Sequence, residues 1–292
     1  MNTKKILEIA EIHLKHLPGE VFDAIELGKP DSIEEAKNLI KIVSKLSPLV
    51  GNLIEFDIVS YLNEVKTFKD IGEWKRQDPG FPDAIFCSEI KPPPGFEIKA
   101  WFPLATEITA RFKDSQNHFI DDQTSVLMLT WLPENIFYGK PKIIDYLVVP
   151  GKSVAKSRDD HYSNPPDYIV LEPEDTSLRS SNLQQTNTNG YKFQGSDKEF
   201  INAQKDSKKL GLRKGNYSSN ITYQSKLRSL LEKYKYRLDT NYAKMNRIEN
   251  EEINKFKNRV FSTLFHGKKI SEWNAIFNSD EEKISKEISF LL

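Results

Sequence analysis

At 292 residues the chain can bury a substantial core, either as one large domain or as a domain with a sizeable appendage. Its 42 lysines and arginines balance 42 aspartates and glutamates, so the summed charge names no nucleic-acid partner, although 20 of the basic and only 13 of the acidic residues lie from Ser196 onward. A single cysteine, Cys87, excludes an internal disulfide, no apolar run is long enough to cross a membrane, and Glu8 and Glu11 interrupt the first apolar stretch too early for a secretory leader, so a soluble, cytoplasmic protein is expected.

Residues 4 to 17 space Ile6, Leu7, Ile9, Ile12, Leu14 and Leu17 three and four apart between charges, which predicts an amphipathic helix. Asp31 or Ser32 then caps a second helix, with Glu34 and Glu35 in its first turn and Leu39, Ile40, Ile42, Val43 and Leu46 on its apolar side. Pro48 is expected to end that helix, and a third follows to Val65, carrying Leu53, Ile54, Phe56, Ile58, Val59 and Leu62 with two internal acids, Glu55 and Asp57.

Apolar runs beginning at Asp83, Phe96, Ser125, Ile143 and Tyr168 read as buried strands, two of them ended by Pro133 and Pro150. Residues 173 to 197, rich in Ser, Thr, Asn and Gln, read as a long surface loop or link. Helices are expected again at roughly 197 to 210, 221 to 262 and 269 to 291. Strands among helices predict an α/β fold with a mixed central sheet flanked by helices, forming a core over residues 1–195, with a basic, mainly helical region over 196–292 for DNA contact or dimerisation, in or beside the same domain.

Chemistry concentrates in two of the strands. Thirteen residues separate Asp83, which follows Pro82, from Glu97 in the run Gly95-Phe96-Glu97-Ile98-Lys99-Ala100-Trp101. Residues two apart on a strand share a face, so the Glu97 carboxylate and the Lys99 ammonium project together, while Phe96, Ile98 and Ala100 pack on the other side. Two acids and a lysine are what metal-assisted phosphodiester hydrolysis requires: carboxylate oxygens for one or two Mg²⁺ ions, and a cation that stabilises charge on the phosphorane-like transition state or orients the attacking water. The plainer reading makes Asp83 a turn residue and Glu97 with Lys99 a charge pair on a solvated face. A rival register also exists in Glu89-Ile90-Lys91, although Pro92 directly after its lysine stops a strand there.

The Pro82-Asp83 and Glu97-Ile98-Lys99 elements resemble the signature of the PD-(D/E)xK nuclease superfamily, and within it the type II restriction endonucleases. Val50-Gly51-Asn52-Leu53-Ile54-Glu55 is similar to the helix that brings a further acid to such sites, and with Gly95-Phe96-Glu97-Ile98-Lys99 it also resembles the MutH mismatch-repair nicking enzymes, with a longer spacing from Glu55 to Asp83 than that pattern has. The resemblance covers residues 45 to 150. It implies a mixed sheet flanked by helices, Mg²⁺-dependent cleavage of double-stranded DNA, a homodimer, Asp83 and Glu97 as metal ligands, Lys99 as the group serving the nucleophile, and Glu55 in support. A repair nickase, a structure-specific nuclease and a non-catalytic DNA-binding protein are the competing readings.

For DNA contact the candidates are Arg111, Lys113, Gln116 and Asn117, close behind the second acidic strand, and Lys209, Arg213, Lys214, Asn216, Lys226 and Arg228 in a stretch where Asp206 and Glu232 are the acids. Lys152, Lys156, Arg158 and His161 form a weaker third group. Cys87, among apolar neighbours, is expected in the core. The phosphate-cradling Gly-x4-Gly-Lys-Ser/Thr run does not occur, so no nucleoside triphosphate is expected as a partner.

Overall fold

The structure, a computed structural model, describes residues 1–23, 25–78, 80–104, 119–120, 122–162, 165–171, 189–212, 218, 220–239 and 248–292. In chain order its helices are α1 (Thr3–Leu14), α2 (Ile33–Asn63), α3 (Gly151–Tyr162), α4 (Asp197–Lys209), α5 (Ile221–Lys233), α6 (Glu251–Ser262), α7 (Ile270–Phe277) and α8 (Glu281–Ile288). The strands are β1 (Glu73–Arg76), β2 (Ala84–Cys87), β3 (Gly95–Trp101), β4 (Thr124–Pro133), β5 (Pro141–Pro150), β6 (Tyr168–Leu171), β7 (Asn189–Phe193), β8 (Tyr236–Asp239), β9 (Leu264–Phe265) and β10 (Lys268–Lys269). The fold is thus mixed α/β, with a helix-rich C-terminal region.

Two compact units divide the chain at points other than residue 195. One comprises 1–108, 122–150 and 251–292, the other 109–121 and 151–250. The region from Ser196 onward is therefore shared between them, with α6 to α8 belonging to the first unit.

The first unit is built on a five-stranded open sheet in the order β1-β2-β3-β4-β5. Its pairings are antiparallel except for β3 with β4, which run parallel in the register Glu97 to Val126 and Lys99 to Met128. β4 is buried along its length, as expected of a central strand covered on both faces. Phe68, Trp74, Phe86 and Phe96 interlock on one face with ring centroids 5.1 to 6.1 Å apart. On the other face Trp101 meets Phe256 and Phe261 from α6. Arg259 fastens α6 to β5, donating through Nε to Asp145 at 2.6 Å and through its other nitrogen at 3.2 Å.

Pro48 does not end a helix. One helix of 31 residues runs through it, capped by Ser32, whose side chain accepts the Glu35 amide. Its buried residues Ala36, Val43, Ser47, Val50, Ile54, Ile58 and Leu62 recur at three and four and make one continuous face, while Pro48 is exposed. Proline removes the bond to the carbonyl four residues back, here that of Ser44, but on the solvent side water can take its place, and burial of the apolar face outweighs the loss.

β1 was not expected from sequence. It is four residues long, with Trp74 buried and its neighbours turned outward. Asn63 at the end of α2 holds it, donating from its amide nitrogen to the Trp74 carbonyl at 2.9 Å and accepting the Trp74 amide at 2.8 Å. Cys87 is exposed rather than in the core, because Ala84 and Phe86 take the inward parity of β2.

The second unit holds an antiparallel sheet in the order β6-β7-β8. Ile169, Leu171, Leu212, Leu227 and Leu230 form its core, flanked by Tyr191, Tyr223 and Tyr236. Two expectations change here. Residues 189–193, assigned to a loop, pair as β7, and the helix expected over 221 to 262 is instead α5, then β8, then α6. Residues 173–188 of the expected loop lie outside the described residues. β8 has the strand pattern Tyr236-Arg237-Leu238-Asp239, which the surrounding charged helical texture masks.

Candidate functional site

β2 and β3 pair only through Ala84 with Phe96 and Ile85 with Gly95. Beyond that pair β3 runs on past the first residue of β2, so among the described residues one edge of β3 has no partner strand from Glu97 onward. Asp83, the residue just before β2, covers this edge: its Oδ2 accepts the backbone N–H of Ile98 at 2.7 Å. Gly95 permits the approach, since a Cβ there would lie 2.3 Å from Pro82 Cγ. The Pro82-Asp83 turn is further held by Gln77, whose backbone N–H donates to the Asp83 carbonyl and whose side-chain nitrogen donates to the Pro82 carbonyl, both at 2.8 Å.

Lys99 gathers the charges. Its ammonium donates to Glu97 Oε1 at 2.5 Å, to the Ile98 carbonyl at 3.0 Å and to Asp83 Oδ2 at 3.5 Å. Both sides of β3 are covered, so this is not the solvated charge pair of the plainer reading: Glu97 is 1% exposed. Its second oxygen, Oε2, is buried and has no hydrogen-bond partner among the described residues. A buried carboxylate oxygen without a partner is costly and uncommon. Burial pushes the Glu97 carboxyl up to about 7, with the charges of Asp83 and Glu55 adding to the effect and the Lys99 ammonium opposing it. Burial alone would lower the Lys99 pKa, but Glu97, Asp83 and Glu55 outweigh it and hold the ammonium firmly protonated.

Glu55 joins the group from α2. Its carboxyl is raised by burial and by the charge of Asp83, and lowered by Lys99 and by Arg76, whose guanidinium donates to Glu55 Oε2 at 3.3 Å. Arg76 was not singled out from sequence. It sits at the end of β1, with one nitrogen 2.7 Å from Asp78 Oδ2 and its guanidinium carbon 4.2 Å from the centroid of Phe56. The signal that could have found it is the parity of Trp74 and Arg76, which sets them on one face of a short strand.

Asp83, Glu97, Lys99 and Glu55 are therefore brought together. The rival pair is not: Glu89 and Lys91 are exposed, off any strand, in the connection between β2 and β3. Of the DNA-contact candidates, Arg111, Lys113, Gln116, Asn117, Arg213, Lys214 and Asn216 lie outside the described residues. Lys209, Lys226 and Arg228 are exposed on α4 and α5 of the second unit. Arg158 of the weaker third group is buried and pairs with Asp159 at 2.8 Å, so it does not belong to a surface patch.

Among the described residues no group of three or more His, Cys, Asp and Glu side chains encloses a metal position. Two carboxylates still fit a hard cation such as Mg²⁺, which keeps several waters and takes one or two protein carboxylates. Among the described residues Glu97 Oε2 lacks a partner, Asp83 uses only Oδ2 in the bonds above, and three acids share one lysine. No helix is long and apolar enough to cross a membrane among the described residues. No protein-family model, curated protein or solved structure matches the chain.

Proposed function

We propose that this chain is a Mg²⁺-dependent, sequence-specific DNA endonuclease with a restriction-endonuclease-like fold, a type II restriction enzyme of the PD-(D/E)xK kind acting as a cytoplasmic homodimer. The observation that carries the proposal is the buried Glu97 Oε2, unpartnered among the described residues, beside Lys99 of the same strand and Asp83 just before the neighbouring one.

In this reading Asp83 and Glu97 hold the cation. Bound there, Mg²⁺ would supply an acidified water and charge neutralisation at the scissile phosphate. The chain's own groups do the rest. Lys99, kept protonated by the acids around it, is a donor rather than a base, so its role is to stabilise negative charge gathering on the phosphate oxygens. Glu55, whose carboxyl burial and Asp83 raise against the opposing pull of Lys99 and Arg76, stands beside the pair as a third acid that orients a water or favours the cation. Two strands require two such sites, which a two-fold pair of chains supplies.

The second unit supports a DNA substrate. Lys205, Lys208, Lys209, Lys226, Arg228, Lys233, Lys235 and Arg237 are all exposed. Lys192 stands directly opposite Arg237 across β7 and β8, and both are exposed. Like charges placed opposite one another weaken a sheet unless an anion meets them, and a phosphate backbone is such an anion.

Purified protein incubated with phage DNA and Mg²⁺ should give discrete fragments that vanish with chelator and with Asp83→Asn. Intact DNA across many duplex substrates, with Mg²⁺ and with Mn²⁺, would overturn the proposal. A single nicked strand at each site would favour the repair-nickase reading instead.

A further inference from the structure

We infer that Arg76 is a positioning residue, fixing the Glu55 carboxylate at the metal-binding end of β2 and β3; this rests on the functional reading above. The argument is geometric. Glu55 is carried by a helix and the other acids by the sheet, so a connection is needed to set the distance between them. Arg76 makes it: from β1 its guanidinium reaches Glu55 Oε2 at 3.3 Å and Asp78 Oδ2 at 2.7 Å while lying 4.2 Å from the Phe56 ring. A planar fork held by one acid beyond the strand and by a ring on the helix can point in one direction only, which is how arginine differs from lysine.

Burial agrees. The Arg76 and Glu55 side chains are 18% and 17% exposed, so the pair is largely shielded from competing water. The Nε of Arg76 is buried without a hydrogen-bond partner among the described residues. An arginine tied down for stability alone would be expected to satisfy that donor. The guanidinium is oriented instead by its two terminal nitrogens, toward Glu55 and Asp78.

Arg76→Ala and Arg76→Lys should be compared with the unaltered full chain by calorimetric titration with Mn²⁺ in the absence of DNA, and by cleavage rate with Mg²⁺. Both variants should raise the Mn²⁺ dissociation constant about tenfold, the lower end of the effect of removing groups that orient metal ligands. The lysine variant keeps charge and bulk, so it guards against a folding defect in the alanine variant. In a Glu55→Gln background the Arg76→Ala change should have no further effect, because the group that it positions has lost its charge. An unchanged dissociation constant in both variants, or the same tenfold loss with Glu55→Gln in place, would overturn the inference while leaving the nuclease reading standing. Failure of the unaltered chain to bind Mn²⁺ would remove both.

Discussion

Asp83 accepts the backbone N–H of Ile98 at 2.7 Å, so an acid that precedes one strand finishes the hydrogen bonding of the next. The same oxygen lies 3.5 Å from the Lys99 ammonium. On the proposed reading one side chain carries both a structural and a chemical duty, and the two can be separated. Asp83→Asn keeps an acceptor for Ile98 and should leave the melting temperature within a few degrees of the original. Cleavage should nevertheless fall by more than the roughly 10- to 100-fold that outer partners of a metal site cost. Retained cleavage in a folded Asp83→Asn protein would remove Asp83 from the chemistry.

Glu97 predicts a pH dependence of folding in the absence of divalent ions. Its folded pKa, about 7, lies above the ordinary value of 4.5. Between these two values the folded chain holds a proton that the unfolded chain has released, so stability falls as pH rises and the loss is complete above about 7. The size is at most roughly 3 kcal/mol, from the shift multiplied by the cost per pKa unit. Glu55 moves in the same direction, so the comparison must isolate Glu97. Urea unfolding at pH 5 and pH 8 should show a smaller difference for Glu97→Gln than for the original, and identical differences would contradict it.

Gly95 predicts a packing cost. A methyl group there would meet Pro82 Cγ at 2.3 Å and the Ala84 carbonyl at 3.2 Å, and one of these contacts is backbone. Overpacking of this kind costs about 1 to 3 kcal/mol. Gly95→Ala should lower stability by that amount and lower cleavage by a larger factor, since the displaced turn carries Asp83. Denaturant unfolding beside a cleavage assay tests this, and a stable, fully active variant would refute it.

Pro48 predicts a gain. Within a helix, proline costs about 3 kcal/mol or more through the lost hydrogen bond and ring clash, whereas its restriction of the unfolded chain returns only about 0.4 to 1 kcal/mol. Pro48→Ala should therefore stabilise the protein by about 2 kcal/mol without touching the candidate site. Chemical denaturation measures it, and a destabilised Pro48→Ala protein would mean that α2 needs its proline for a bend.

How much of this was readable in the chain depended on how local each signal was. Asp83, Glu97 and Lys99 could be read because strand parity and one short turn decide where they point. Cys87 followed the same parity, yet its apolar neighbours suggested burial, and only the inward setting of Ala84 and Phe86 resolves it. Pro48 misled because the local rule is sound and a long-range one overrode it: a buried face that continues on both sides of the proline. β7 and β8 were hidden because their partners are distant in sequence, so neither segment announces a strand alone. Arg76 escaped for a similar reason, since its importance comes from a residue 21 positions away on another element.

On the proposed reading the bare Glu97 oxygen also makes the fold a detector of divalent ions. A ligand taken up by the folded chain alone raises the free energy of unfolding by mass action, about 2.7 kcal/mol at a hundredfold excess over its dissociation constant. An array of divalent ions surveyed by melting temperature would then rank candidate occupants before any nucleic acid is added, and the ranking should collapse when Glu97 is made neutral.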